Sequence, residues 1–552
     1  MGARSAFTIE DILEPLGGRL IHGNSRQTFD NYCIDSRYVD GRSMFVPLMG
    51  QSRDGHQFVI DAVNKGAVAA LVRAGHHQVH EIVGWLRERS GHGVYADMDD
   101  VCVIEVRHTL VALQKLAEWF RLQFDVEVLG VTGSVGKTGT KEMLIQLLSS
   151  KFPTIGTEKN FNNEIGVPLA LSRINDRTRM AVIEMAMRAR GEISLLSRIA
   201  HPTAAIITNT SGSHVGRLGS FEEVCKAKCE IIHGMKSPGR LLLNARDPNT
   251  FAILRELEKR KEGPKDLALS FFDASAAFAC SGLPPFVTPG VSYSSKGTRP
   301  QADVWLEEVE VRGLEGSTCL LCSADERVPV ELNMLGRGAL ENLATAAAAA
   351  VQFGMKLEEV AAAAPKLLPA PQRLNLFQLD DKLYLIDDCY NNSPASVCDS
   401  LEVLLSVDPR FRKLVVLGDM LELGKFETLL HRRCAQMALN LPLDSVYAVG
   451  PRMNAVNEVE ALEDINLFYF EGHSDLGSYG GSKYDSRFDD GGHRDHRSSG
   501  GTVILDDRAA RKLSARLLED IRGSDEPTVV MIKGSRALHL ERIVNDLLTA
   551  TG

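Results

Sequence analysis

The chain has no apolar run near the roughly 18 residues that a membrane span needs. Its mean hydropathy of −0.08 is that of a soluble protein with ample core. Its first residues, MGARSAFTIEDILEPLGG, lack the basic-then-apolar layout of a secretory signal. Membrane insertion is therefore not expected, and the cytoplasm is the expected location. There is no basic excess either. Lys and Arg number 62 against 72 Asp and Glu, a net charge of −10, which argues against a general nucleic-acid binder and leaves room only for a local basic groove. The ten cysteines are scattered, as reduced thiols are. Cys319 and Cys322 form one C-x-x-C, and with no second pair at zinc-site spacing they read as two small residues in a strand. At 552 residues the chain has room for three domains.

What is present centres on Val128–Leu148, VLGVTGSVGKTGTKEMLIQLL. An apolar strand breaks into a glycine-bearing loop and resumes as an amphipathic helix. The loop fits T-G-S-x-G-K-T, a shorter form of the phosphate-loop pattern. Gly133 and Gly136, with Ser134 and Val135 between them, let backbone N–H groups converge on phosphate oxygens, and the helix N-terminus adds positive potential. Lys137 is placed to reach terminal phosphates and Thr138, followed by Gly139, to hold Mg²⁺. The tripeptide GKT is common by chance; strand, loop and helix together make it a nucleotide site.

Residues 1–107 read as a small α/β unit in which Asp35-Ser36-Arg37 and Arg53-Asp54-Gly55-His56 punctuate turns. Taken alone, such triplets are ordinary loop chemistry. HTLVALQKLAEWFRLQFD (108–125) has helical spacing and joins this unit to the next. From about 126 to 368, short apolar strands alternate with helices, the pattern of a parallel sheet covered on both faces. Glu184 and Asn209 close two of those strands, on the side where such sheets gather ligands. Ser220 and Glu223 form a capping box that starts a helix carrying Lys226 and Lys228. A third α/β unit, 369–552, has strands ending in Asp387, Asp388, Gly418, Asp419, Lys533 and Ser535. Within it, residues 471–501 are rich in Gly, Ser, Asp and His with almost no core formers, which reads as a disordered insertion. Its His473, His493 and His496 have nothing to fix a metal geometry.

In combination these segments resemble the ATP-dependent Mur ligases of peptidoglycan synthesis, and within them the branch that adds D-alanyl-D-alanine. TGSVGKTGTKEM, TEKNFNNEIGVPL, IDDCYNNSPASV, VVLGDMLELG and VMIKGSRALHLERIV stand in family order, from Asp35 almost to the C-terminus. The resemblance implies a central P-loop NTPase-like parallel sheet (108–368) between an α/β substrate domain (1–107) and a Rossmann-like ligase domain (369–552). It implies that Ser36, Arg37, Asp54, Gly55 and His56 hold the uridine nucleotide. Asn162 and Asn163, with Tyr390 and Asn391, face the substrate side. Thr138, Glu184 and His214 match Mg²⁺ ligands, together with Lys228 if it is carbamylated. Asn342, Arg373 and Asp388 match nucleotide contacts. Lys137, Lys228, His214 and Glu184 make up the implied catalytic set.

The implied substrates are ATP, a UDP-N-acetylmuramoyl-tripeptide and D-Ala-D-Ala; the cofactor is Mg²⁺ and the protein a monomer. Departures from the family pattern are Gly338-Ala339 in place of His-Asn, Gly139 in place of Thr, and Cys389, Asn392 and Ser393 in the IDDCYNNSP segment. None removes Lys137, Thr138, Glu184, Lys228 or Asp388, so altered nucleotide affinity is expected rather than a dead enzyme. A sister ligase would share the phosphate loop but not the NFNNEIG and LGDMLELG segments. A P-loop switch would need a basic or partner-binding surface, and a silent scaffold would not need the ligand set.

Overall fold

The computed structural model describes residues 7–50, 53–89, 101–210, 218, 220–274, 300–459, 465–470 and 507–551. The expected insertion at 471–501, with His473, His493 and His496, lies outside the described residues. The chain divides into two compact units, 1–270 and 271–552, so the expected middle domain contributes to both.

The first unit holds two main sheets. One has the order Arg19–His22, Cys102–Val106, Ala69–Arg73, Ser43–Phe45, Asn31–Cys33, parallel except for its first, antiparallel edge. The other runs Thr154–Gly156, Met180–Glu184, Glu127–Thr132, Ala204–Ile207, Gly239–Asn244 and is parallel throughout. Its inner strands are buried on both faces, which is why VEVLGV, MAVIE and AAII read as apolar runs without alternation.

The helix Thr109–Leu122 buries Ala112, Leu113, Leu116, Ala117 and Phe120, one face at helical spacing. Each large apolar side chain buried there stabilises by roughly 1.5–3 kcal/mol. Beside them lies Arg121, fully buried and without a carboxylate hydrogen-bond partner among the described residues. Its guanidinium donates instead to the carbonyls of Ala200, Phe124 and Val126 at 3.1, 3.0 and 2.7 Å. Those carbonyls lie at the ends of secondary-structure elements or just beyond them, so one side chain supplies donors to three backbone acceptors.

In the second unit, Val304–Val311, Ser317–Cys322 and Arg327–Leu332 form an antiparallel meander. Cys319 and Cys322 lie on its middle strand, and burial pushes their thiols up to about 12 and about 11, as suits inert core residues. A six-stranded sheet follows: Asn375–Gln378, Leu383–Asp388, Thr528–Lys533, Arg412–Gly418, Ser445–Val449, Asn466–Phe470, parallel but for the first pair. The helix Pro394–Ser406 opens with a capping box between Ser393 and Ser396 and with Pro at its first position. Ser393, a departure from the family pattern, is thus a good N-cap.

Candidate active site

The phosphate loop is held from below by the next strand. Ser134 N–H donates to the Asn209 carbonyl at 2.9 Å and Val135 N–H to Asn209 Oδ1 at 3.0 Å. The hydroxyl of Thr208 donates to the Val135 carbonyl at 2.6 Å. Gly133, at φ +150°, has no room for a side chain: a Cβ would lie 1.9 Å from Thr208 Oγ1. Gly136 precedes the helix Lys137–Ser149 at φ +83°, a conformation that favours glycine. Lys137 Nζ donates to the carbonyls of Gly133 and Ser134 at 2.7 and 3.0 Å, so the cation sits over the loop it follows. Thr138 and Gly139 occupy the half-buried first turn.

Glu184 ends its strand almost completely buried. Asn162 donates to its Oε1 at 2.8 Å, while Oε2 has no partner among the described residues. Lys228, on the helix Phe221–Cys229, is fully buried and its Nζ likewise has no partner. Burial, reinforced by the positive charge of Lys137 and only partly opposed by Glu184, holds the amine well below the usual lysine range. A neutral amine can add CO₂; an ammonium cannot. Two buried polar atoms without partners in one site are expensive, and a divalent cation would satisfy both, through the carboxylate oxygen of Glu184 and through a carbamate on Lys228. These residues therefore fit Mg²⁺. His214 lies outside the described residues.

Asn163 Oδ1 accepts from the N–H groups of Ile165 and Gly166 at 3.2 and 2.9 Å, fixing the turn that presents Asn162. The other anchor of this segment is Lys141, one turn beyond Lys137. Its fully buried ammonium donates to the Thr157 carbonyl at 2.8 Å and to Glu142 at 2.5 Å. The hydroxyl of Thr157 in turn accepts the Glu184 N–H at 3.1 Å. Lys141 ties the phosphate-loop helix to the carboxylate strand, a link that sequence reasoning missed because the motif ends at Thr138.

In the first sheet, Asp35 caps a short turn and forms a two-pronged pair with Arg37, whose side chain stays exposed. Ser36 is buried beneath it. Gly55 sits where a Cβ would meet the Leu48 backbone at 2.7 Å. His56 is buried with both ring nitrogens engaged: Nδ1 meets Asp54 Oδ1 at 2.7 Å, and Nε2 accepts the Arg73 N–H at 3.0 Å. The tautomer follows, with the proton on Nδ1. His76 Nε2 bonds Asp54 Oδ2 at 2.7 Å and its ring stacks on His56 at 4.0 Å. One carboxylate thus clamps two imidazoles, and both ring nitrogens of His56 are engaged within the protein. His76 carries no sequence signal.

In the second unit, Asn342 lies on the helix Arg337–Gln352. Gly338 faces open space where the family pattern has a larger polar residue. Asp388 accepts from Lys533 Nζ at 2.5 Å and Ser400 Oγ at 2.7 Å. Its neighbours Cys389 and Asn392 are absorbed into the fold: the thiol reaches the Ile532 carbonyl, and the Asn392 amide donates to the Gly418 carbonyl at 2.6 Å. Asn391 Oδ1 accepts the Asn392 N–H at 2.9 Å. Arg373 stacks over Tyr390, its guanidinium carbon 4.5 Å from the ring centre.

Two family models match the chain: the Mur ligase middle domain over residues 131–277 and the Mur ligase family catalytic domain over 28–121. The UDP-N-acetylmuramoyl-tripeptide–D-alanyl-D-alanine ligase of Bacillus subtilis is 32% identical over 80% of this chain and 85% of its own length. That of Escherichia coli is 30% identical over 82% and 88%. Among solved structures, MurF from Acinetobacter baumannii aligns with a TM-score of 0.74 at 25% identity, covering 99% of both chains. MurF from Thermotoga maritima in complex with ADP aligns at 0.66 and 22% identity over 94% of this chain and 97% of that one, a likeness of fold.

Proposed function

The chain belongs to the Mur ligase family, and on that premise we propose that it is an ATP-dependent ligase joining D-alanyl-D-alanine to a UDP-N-acetylmuramoyl-tripeptide. The product is the UDP-linked pentapeptide precursor of peptidoglycan. The observation that carries the mechanism is the buried pair of unsatisfied groups, Glu184 Oε2 and Lys228 Nζ, in the same unit as a formed phosphate loop.

The γ-phosphoryl group of ATP passes to the terminal carboxylate of the tripeptide, releasing ADP and leaving an acyl phosphate. The amine of the dipeptide attacks the acyl carbon, and the tetrahedral intermediate expels inorganic phosphate as the amide forms. Little covalent chemistry falls to the protein; positioning and charge neutralisation do the rest. The loop N–H groups and Lys137 receive the phosphoryl oxygens. Thr138, Glu184 and carbamylated Lys228, with His214 from the family pattern, would hold Mg²⁺, which supplies Lewis-acid stabilisation of charge on those oxygens. Asn162 keeps Glu184 in place. Ser36, Arg37 and the Asp54-Gly55-His56 turn serve the uridine end. Asn342, Arg373 and Asp388 serve ATP, while Tyr390, Asn391 and Asn163 serve the peptide side.

Three domains, 1–107, 108–368 and 369–552, divide this work, and the enzyme acts as a cytoplasmic monomer. No described helix is long and apolar enough to cross a membrane.

The deciding experiment measures phosphate release from ATP and Mg²⁺ with a UDP-muramoyl-tripeptide, with and without D-Ala-D-Ala. Release that needs both, with a UDP-pentapeptide product, is the expected result. ATP binding without dipeptide dependence would reassign the chain to a sister branch.

A further inference from the structure

Two arginines converge on one ring at the carboxyl ends of two paired strands. Tyr390 follows the strand Leu383–Asp388, and Arg536 follows its parallel neighbour Thr528–Lys533. The guanidinium carbon of Arg373 lies 4.5 Å from the centre of the Tyr390 ring and that of Arg536 lies 5.7 Å away. Among the described residues neither guanidinium has a carboxylate partner, and Arg373 Nε is buried with no acceptor at all. Elsewhere in the same unit the half-buried arginines are paired: Arg337 with Asp399, Arg412 with Asp520, Arg452 with Asp419. Two cations gathered on one aromatic ring without a counter-charge form a site that an anion would complete.

Arg536 is exposed, yet its base is rigid. It opens a short turn, Arg536–Leu538, and the preceding Ser535 is buried with its hydroxyl donating to the Asp419 carbonyl at 2.6 Å. A guanidinium fork on a fixed turn, steadied against a ring, matches a planar carboxylate with two parallel hydrogen bonds. Resting on the ligase reading above, we propose that Arg536 receives the C-terminal carboxylate of the incoming dipeptide. Tyr390 aligns its guanidinium, and Arg373 is left for the nucleotide. The carboxylate is the dipeptide's one anionic group, and anchoring it there leaves the amine at the other end free to attack.

The test crosses a deletion in the enzyme with a deletion in the substrate. KM and kcat are measured for wild type, Arg536→Met and Arg536→Lys, with D-Ala-D-Ala and with its uncharged C-terminal amide, and KM for ATP is measured in parallel. Wild type should prefer acid to amide by about 10- to 100-fold in kcat/KM, as loss of one charge-assisted pair implies. Arg536→Met should fall by a similar factor with the acid, show almost no preference between the two, and keep its KM for ATP. Arg536→Lys should recover part of the preference. The thermal melt of each variant reports folding; were Arg536→Met unfolded, an undiminished preference in Arg536→Lys would overturn the proposal. So would an acid preference that survives in folded Arg536→Met, or a rise in KM for ATP in place of that for the dipeptide. Wild type that turns over neither dipeptide would instead bring down the ligase reading itself.

Discussion

Lys533 and Asp388 are register partners on adjacent parallel strands, and their side chains meet at 2.5 Å where water scarcely reaches either. A buried ion pair of this kind contributes little net stability against an apolar replacement, but breaking it leaves a charge stranded. Lys533→Met should therefore destabilise the protein by about 3–5 kcal/mol. The double variant Lys533→Met/Asp388→Asn should recover part of the loss in a urea or thermal melt. A single variant that melts like wild type would mean the pair is dispensable.

Lys137→Ala should lower turnover by at least about 10²–10³, the order lost when one preorganised donor to developing charge is removed. Lys137 Nζ donates to the Gly133 and Ser134 carbonyls of its own loop, and the circular dichroism spectrum and melt of the variant should stay close to wild type. Phosphate release and a melt on the same sample separate a catalytic loss from a folding defect.

Burial keeps the Lys228 amine neutral enough to capture CO₂. Protein equilibrated with ¹³C-bicarbonate should give a carbamate carbon resonance that is absent from Lys228→Arg. Rigorous removal of CO₂ should lower activity, and bicarbonate should restore it. A spectrum identical for the two proteins would leave Thr138, Glu184 and His214 as the protein's proposed metal ligands.

The Asp54 clamp predicts acid sensitivity. Burial alone would raise the Asp54 carboxyl, but hydrogen bonds from the His56 backbone and from the His56 and His76 rings pull it down to about 2. Its stabilisation is present above the ordinary carboxylate range near 4 and is lost as pH falls from there towards 2. Burial also lowers His56, against the pull of Asp54. The unfolded chain thus takes up that proton first, and stability starts to fall below about pH 6.5. Both signs agree: the melting temperature should drop with acidification from pH 6.5 downward. Asp54→Asn should start about 1.5–3 kcal/mol lower at pH 7, the range for lost hydrogen bonds to a charged group. It should then show a shallower fall below pH 4 than wild type.

The phosphate loop was legible because its chemistry is local: strand, two glycines, lysine and helix lie within one short stretch. The sheets were legible for a similar reason, since inner parallel strands are apolar along their length. The neutral state of Lys228 was not, because burial is a property of the folded environment. Here only family resemblance singled out that lysine from Lys226, which the fold ties at the surface to Glu222 and Glu223. Nor were the partners legible. His76 is 22 residues from Asp54, Lys141 is 16 from Thr157, and Arg536 meets Tyr390 only because two strands distant in sequence are neighbours. The C-x-x-C shows the converse, a motif that missing partners had already explained as core.

Tyr32, on the edge strand of the first sheet, donates its hydroxyl to the carbonyl of Pro168 at 2.7 Å, in the helix that follows the Asn162 turn. Around it Phe7, Trp119, Phe120 and Phe124 interlock along the connecting helix. The turns proposed for the uridine end and the phosphate loop therefore belong to one compact unit. On the proposed reading, such a unit is a ruler. The sugar is gripped at one mark and the reacting carboxylate must arrive at the other, so peptide length is selected by geometry before any side chain is inspected. A stem one residue shorter would hold its carboxylate short of the phosphoryl group, and one residue longer would carry it past.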